Sequence, residues 1–189
     1  MTSNHPHGLG RAPACDPDRR VAEPSRTGSD ASGDFFEDIV VGTQLDLGSH
    51  TFTRDEIVQF ACNYDPQPFH LDEVAAAQST LQRLSASGWH TAAVWMRLYA
   101  LHRNAIREAL IERGERAAAP GPSPGFRAMR WRTPVHPGDT VTYRSVVSGK
   151  RSLPKRKWGL VFHRNTGVNQ DGRIAVEFSG SVLWQCRPA

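Results

Sequence analysis

The segment TAAVWMRLYAL (Thr91–Leu101) decides the fold that we predict for this chain. Its only charged residue is Arg97, and its apolar residues occupy every face of a helical projection. A helix that is apolar nearly all round is normally buried on most sides. Gly88 stands at its expected N-terminus, and from His102 onward the pattern becomes amphipathic and charged. We therefore predict a long helix that begins inside the core and emerges into solvent.

Strand patterns follow this helix. The segments Phe126–Arg132, Thr140–Val147 and Trp158–Val168 are typical of strands, and the second is rich in β-branched residues. Asp171-Gly172 is a hairpin signal. Apolar residues then alternate with polar or small ones from Ile174 to Trp184, which is the period of a half-buried strand. Short connections of this kind indicate an antiparallel sheet.

The residues before the helix add a first strand and two short helices. Asp38–Thr53 is typical of an extended segment and a strand. Thr53 and Glu56 have capping-box spacing and predict a helix that stops before Asp65-Pro66, because the residue before proline avoids the helical region. A second short helix is expected at about residues 71–77. A single sheet can bury a helix on most sides only by curling around it, so we predict an α+β fold, a single hotdog domain in which an antiparallel sheet of about five strands is wrapped around a central helix.

Composition sets the domain boundaries. The chain has 189 residues, 39% of them hydrophobic and 22% charged, which fits one globular domain with a proper core. Residues 1–33 lack Phe, Trp and Tyr and contain four prolines, which is typical of a disordered tail without the apolar run of a signal peptide. We expect residues 34–189 to form the hotdog domain.

Charge and cysteine content exclude several classes. No apolar stretch is long enough for a transmembrane helix. The net charge of +4 is too weak to indicate a nucleic-acid partner. The three cysteines are far apart, which disfavours a disulfide framework and a cysteine-rich metal site and favours a reducing, cytoplasmic location.

Three residues form a candidate catalytic group. Asp65 and His70 lie five residues apart on the proline-stiffened segment YDPQPFH, where a carboxylate and an imidazole can converge on one water molecule. Gly88 would offer an unpaired amide at a helix N-terminus, which suits an oxyanion. An acid–base pair and an oxyanion donor together fit a reaction that transfers a proton at a carbon next to a carbonyl group. Each residue also has a structural explanation: Asp65 in a turn, His70 in packing, and Gly88 at a close helix–sheet contact.

The same residues carry a family resemblance. FACNYDPQPFHLDEVAAA (Phe60–Ala77) resembles the hydratase motif of the MaoC-like dehydratase and (R)-specific enoyl-CoA hydratase family. SASGWHTAA (Ser85–Ala93) resembles the family's central-helix start, and WRTPVHPGDTV (Trp131–Val141) resembles its turn between strands. The resemblance extends over roughly Phe35–Leu183. The positions that match the motif are Asp65, Pro68, His70 and Ala76.

This resemblance implies a dimeric or paired hotdog and the reversible addition of water to a 2-enoyl thioester. It assigns Asp65 and His70 as the catalytic pair and Gly88 as the oxyanion donor. The acyl carrier would be coenzyme A or acyl carrier protein; CoA is part of the substrate, so neither a separate cofactor nor a metal is expected. The chain departs from the common family pattern in ways that affect acyl preference, at Tyr64, Gln67 and Ser87.

Further residues are candidates for binding the substrate. Ser87, Trp89 and His90 flank Gly88, and the larger two would reshape an acyl pocket, although His90 is alternatively a packed helix residue. Basic side chains suit the phosphates of CoA, or else belong to a solvated loop. The basic candidates are Arg130, Arg132, Arg151 and Lys155.

Two other functions compete with hydration. A hotdog thioesterase would also use a helix N-terminus, but it does not need a carboxylate and an imidazole at the spacing of Asp65 and His70. A non-catalytic hotdog subunit would bind an acyl thioester or a partner without converting it. In every case a chain with one hotdog is expected to form a homodimer or to join a partner subunit, with neither nucleic acid nor a membrane as partner.

Overall fold

A five-stranded antiparallel sheet and one long helix form the fold. The computed structural model describes residues 34–119, 121–153 and 157–188. The strand order across the sheet is β1-β3-β4-β5-β2, so β1 and β2 are its edges. Helix α4 (Gly88–Glu112) packs against the sheet, which confirms the predicted α+β hotdog architecture. The strands are β1 (Gln44–Thr51), β2 (Gly125–Trp131), β3 (Thr140–Ser152), β4 (Trp158–Asn169) and β5 (Ile174–Gln185).

Three short helices, α1 (Arg54–Tyr64), α2 (Pro68–Leu71) and α3 (Glu73–Ala77), connect β1 to α4. The N-cap of α1 is Thr53, whose side chain accepts a hydrogen bond from the Glu56 amide at 3.3 Å. The segment expected to be a loop up to residue 70 instead becomes helical at Pro68, because proline fits the first position of a helix. The expected second helix is correspondingly divided at Asp72, whose carboxylate caps α3.

Buried side chains of the sheet hold α4 in place. The Tyr143 hydroxyl donates a 3.1 Å hydrogen bond to the Thr91 carbonyl, and the ring of Trp95 meets that of Phe178 edge to face at 4.7 Å. Gly167 of β4 makes room for Tyr143, because a Cβ there would lie 2.8 Å from the tyrosine ring. These contacts fix the N-terminal half of α4 across β3, β4 and β5.

Burial of α4 is less complete than its sequence predicted. Thr91, Val94 and Leu98 are buried against the sheet, whereas Met96 on the opposite face is 51% exposed. Within a single chain α4 is therefore buried mainly on the face toward the sheet, whereas its sequence predicted burial on most sides. The apolar residues of α4 thus form a second face, which the sheet of the same chain does not cover.

A smaller core closes the other end of the sheet. Phe35 and Phe36 pack with Val161 and Trp184, which agrees with a fold that begins near residue 35. None of the helices in the described ranges has the length and apolarity needed to cross a membrane. The predicted tail at residues 1–33 lies outside the described residues.

Candidate active site

Asp65 and His70 face each other across the turn that joins α1 to α2. Asp65 is the C-cap of α1, and His70 lies in α2. Pro66 follows the end of α1 and Pro68 begins α2, so two fixed φ angles restrict the five-residue connection. Oδ2 of Asp65 lies 3.5 Å from Nε2 of His70. The imidazole is 6% exposed, and the carboxylate is partly open to solvent.

The backbone of Ser85 orients the imidazole. Nδ1 of His70 lies 2.7 Å from the carbonyl oxygen of Ser85. A carbonyl can only accept a hydrogen bond, so Nδ1 carries the hydrogen and the lone pair of the neutral ring is on Nε2. In its neutral form, His70 therefore presents a proton acceptor toward Asp65.

Two side chains hold the carboxylate of Asp65. The hydroxyl of Ser87 donates to Oδ2 at 2.6 Å, and Nε2 of Gln67 donates to Oδ1 at 2.7 Å. Burial by itself would raise the pKa of Asp65, but these two hydrogen bonds and the nearby His70 hold the pKa below its ordinary value. Asp65 is consequently ionised at neutral pH.

The N-terminus of α4 lies beside this pair. Ser87 is the N-cap of the helix, and its Oγ accepts from the Trp89 amide at 3.2 Å while it donates to Asp65. The Gly88 amide has no acceptor within the described part of the chain. The residue whose side chain binds the carboxylate thus directly precedes the residue with a free N–H at the positive end of a long helix.

Trp131 covers Gly88. The indole Nε1 donates a 2.8 Å hydrogen bond to the Gly88 carbonyl. A Cβ at Gly88 would lie 2.5 Å from the indole ring, so only glycine permits this approach. The contact fixes the orientation of the Gly88–Trp89 peptide at the start of α4.

The other candidates beside Gly88 have different surroundings. Trp89 is half exposed and its ring contacts that of Trp131 at 5.3 Å, so it borders the site. His90 is buried and stacks on Phe60 with ring centroids 4.5 Å apart, and burial lowers its pKa to about 4. The structure therefore places His90 in packing, the alternative weighed from the sequence, and not with Asp65. Ser87 is fully buried against Asp65, so it is a partner of the carboxylate rather than a lining residue.

The basic candidates are not gathered at one place. Arg132 forms an ion pair with Glu177, and Arg130 lies on the edge strand β2. Arg151 lies near the C-terminal end of β3, eleven residues from Thr140 or roughly 35 Å at the rise of a strand. Lys155 lies outside the described residues.

The sequence did not predict three contacts of the site. Gln67 and Ser85 hold Asp65 and His70, and Trp131 covers Gly88. A serine just before an expected helix was a signal for the N-cap role of Ser87, but no local signal pointed to Trp131, which lies 43 residues from Gly88 in the chain. In the described ranges no group of three or more His, Cys, Asp or Glu residues is arranged to hold a metal ion.

Comparison with known proteins establishes the family. The family model of the MaoC-like domain matches residues 38–167. The chain belongs to the MaoC-like domain family. A MaoC-like dehydratase from Rhodospirillum rubrum has 34% sequence identity to this MaoC-like domain and a TM-score of 0.69, covering 83% of this chain and 100% of that one.

Two curated relatives match more distantly. Protein MaoC of Klebsiella aerogenes is 28% identical over 155 residues, which are 82% of this chain and 41% of that protein. The mesaconyl-CoA hydratase of Cereibacter sphaeroides is 35% identical over 60 residues, 32% of this chain and 17% of that protein. This MaoC-like domain thus spans less than half the length of the curated relatives that it matches.

Proposed function

We propose that this protein is a hydratase that adds water reversibly to a 2-enoyl thioester of CoA or acyl carrier protein, giving a 3-hydroxyacyl thioester. The observation that carries the proposal is the 3.5 Å separation of Asp65 Oδ2 and His70 Nε2 beside the free amide of Gly88. Membership of the MaoC-like family, which includes dehydratases and hydratases, supports it.

The separation of the two acceptors suits a water molecule. It is too long for a strong direct hydrogen bond, and a neutral Nε2 and a carboxylate oxygen both accept. A water that donates one hydrogen to each of them directs its oxygen lone pair outward. That oxygen attacks the β-carbon of the enoyl thioester, and the pair takes up the proton that the water releases.

The Gly88 amide stabilises the charge that attack creates. As the C–O bond forms at the β-carbon, the electrons of the double bond move toward the thioester oxygen, and a hydrogen bond from Gly88 N–H binds the developing enolate. Removal of one such donor typically lowers kcat by about 10²- to 10³-fold. The α-carbon then receives a proton from the pair of Asp65 and His70. The net reaction adds one water and transfers no electrons to the protein.

We place the CoA end of the substrate where the site opens to solvent, beside the partly exposed carboxylate of Asp65. Arg130 is the basic candidate on the adjacent edge strand that has no ion-pair partner in the described part of the chain. The edge position of β2 and the uncovered face of α4 also favour a homodimer in which a second copy completes the cleft.

One assay distinguishes this function from the alternatives. Wild-type protein is mixed with crotonyl-CoA, and loss of the enoyl absorbance is followed together with release of free thiol. Hydration predicts loss of absorbance with no thiol. Thiol release would identify a thioesterase, and no change in either signal with crotonyl-CoA or longer enoyl-CoAs would identify a non-catalytic subunit.

A further inference from the structure

A cavity of about 320 Å³ opens between α4 and the strands β4 and β5. Its lining includes five aromatic residues, Trp95, Tyr99, Phe126, Phe178 and Trp184. Its volume lies within the range of small-molecule pockets. It is separate from the Asp65–His70 pair, because it lies further along α4.

Three buried polar atoms at this cavity lack partners. In the described part of the chain, Nε2 of His163, Nδ2 of Asn165 and Nε1 of Trp95 are buried without a hydrogen bond, and all three residues line the cavity. Asn165 has no exposed surface, and His163 is 4% exposed. Unpaired buried polar groups are costly, so their concentration at one cavity indicates that a ligand or solvent supplies the missing partner.

The hydroxyl of Ser145 fixes the roles of two of these atoms. It donates to Oδ1 of Asn165 at 2.7 Å and lies 3.1 Å from Nδ1 of His163. Because its only hydrogen is used on Asn165, it accepts from Nδ1, and the lone pair of His163 is on Nε2. Burial lowers the pKa of His163 to about 4, so the ring stays neutral. The pair therefore offers a free donor on Asn165 and a free acceptor on His163.

Gly180 of β5 lies beside the buried amide of Asn165. A Cβ at this glycine would lie 3.3 Å from Nδ2 of Asn165, which is tighter than ordinary contact. Gly180 itself lines the cavity. A side chain at this position would therefore crowd the unpartnered donor.

Aromatic rings connect the cavity to the start of α4. Trp131 covers Gly88, the ring of Trp89 lies 5.3 Å from that of Trp131 and 6.3 Å from that of Phe126, and Phe126 lines the cavity. Tyr99 is eleven residues from Gly88, about 16 Å along the helix axis. An acyl chain whose thioester lies at Gly88 and which follows α4 would therefore end in the cavity.

Two arginines line the cavity. The guanidinium of Arg103 donates to both carboxylate oxygens of Asp34 at 2.7 Å and stacks on Trp184 at 4.1 Å, so this cation is paired. Arg107 has no ion-pair partner in the described part of the chain. A carboxylate can only accept hydrogen bonds and would leave the lone pair of His163 unpaired, whereas a hydroxyl both accepts and donates and so matches the free donor and acceptor.

We infer that the acyl group of the substrate extends along α4 and carries a hydroxyl group near its far end, which Asn165 and His163 bind inside the aromatic cavity. The inference rests on the proposed hydratase function for the position of the thioester. The substrate class is accordingly hydroxylated acyl thioesters of medium length.

Calorimetric titration with two saturated thioesters tests this inference without catalysis. The probes are ω-hydroxydecanoyl-CoA and decanoyl-CoA, neither of which can be hydrated. The wild-type protein is expected to bind the hydroxylated thioester about tenfold more tightly, because only that thioester satisfies the buried pair. Asn165→Leu, which removes the donor, and Gly180→Ala, which covers it, are both expected to abolish the preference. Gly149→Ala is the matched control, since its Cβ meets only Phe162 at 3.7 Å, and it should keep the preference.

Two outcomes would overturn the inference. Equal affinities of the wild-type protein for the two probes would mean that Asn165 and His163 form their missing hydrogen bonds with water and not with the ligand. Tighter binding of the ω-carboxy analogue than of the hydroxylated probe would show that the cavity recognises an acid. Crotonyl-CoA hydration is measured in parallel: its absence with an intact hydroxyl preference would count against the proposed reaction and leave the binding assignment standing.

Discussion

The hydroxyl of Ser87 donates a 2.6 Å hydrogen bond to Oδ2 of Asp65. Oγ of Ser87 also accepts a hydrogen bond from the Trp89 amide in the first turn of α4. One side chain therefore ties the carboxylate of the catalytic loop to the helix N-terminus that provides the oxyanion donor. This link fixes the position of the proposed base relative to the Gly88 amide, the proposed oxyanion donor.

Replacement of Ser87 by alanine is expected to shift the pH dependence of hydration. The hydrogen bond stabilises the ionised form of Asp65, so its loss raises the pKa of the carboxyl. Activity that needs the carboxylate is lost as pH falls through this pKa, and the acid limb of kcat/KM should move to higher pH in Ser87→Ala. The exposed residue Ser49 supplies the control Ser49→Ala, which should leave the limb in place. An unmoved limb in Ser87→Ala would argue that Asp65 is not the group that titrates.

Gly88→Ala is expected to lower kcat by about 10²-fold or more, because the new Cβ would displace either Trp131 or the Gly88 peptide that forms the donor. Trp131→Ala removes the obstacle. In a double-mutant cycle, Gly88→Ala combined with Trp131→Ala should therefore recover part of the activity relative to Gly88→Ala alone. Fully additive losses in the two single variants would contradict the steric account.

Two buried histidines should make stability depend on pH. Burial lowers the pKa of His90 and of His163 from 6.5 to about 4. Between these pH values the unfolded chain binds protons that the folded chain does not, so the free energy of unfolding should decrease as pH falls from 6.5 toward 4. Each histidine contributes a slope of up to about 1.4 kcal/mol per pH unit.

Urea unfolding at several pH values measures this slope. His90→Phe keeps a ring to stack on Phe60 and should flatten the slope by about one proton relative to the wild type. The comparison between variant and wild type cancels the carboxylates that titrate in the same range. An unchanged slope in His90→Phe would mean that His90 is protonated in the folded chain.

The uncovered face of α4 predicts self-association. Met96 is exposed on this face, and β2 is an open sheet edge. Size-exclusion chromatography with light scattering should give about twice the chain mass of 20.9 kDa. Met96→Glu should shift the protein to monomer, whereas Val74→Glu, on the exposed surface of α3, should not. A monomeric wild type at micromolar concentration would contradict this expectation.

Local chemistry explains why much of the site was predictable. Prolines and an N-cap act over a few residues, so Asp65 and His70 could be placed on one stiff turn, and Gly88 at the start of a helix, without any tertiary information. Most strand boundaries followed from alternation and turn residues in the same way, but β3 ends at Ser152, five residues beyond the predicted end at Val147. Local patterns in the sequence were therefore sufficient to predict both the antiparallel sheet and the central helix.

Long-range contacts explain what was not predictable. The position of Trp131 over Gly88 depends on how an edge strand meets a helix end, which no short-range pattern encodes. Arg151 was grouped with Arg130 by charge, but the length of β3 carries it to the other end of the sheet. The burial of α4 was overestimated because an apolar pattern does not say whether the covering surface comes from the same chain.

The central claim is that Asp65 and His70 together hold and activate the attacking water. Hydration of crotonyl-CoA by Asp65→Asn and His70→Ala tests it most directly, with circular dichroism to show that both variants are folded. We expect each variant to lose about 10²- to 10⁴-fold in kcat. Folded variants that hydrate at the wild-type rate would contradict the account.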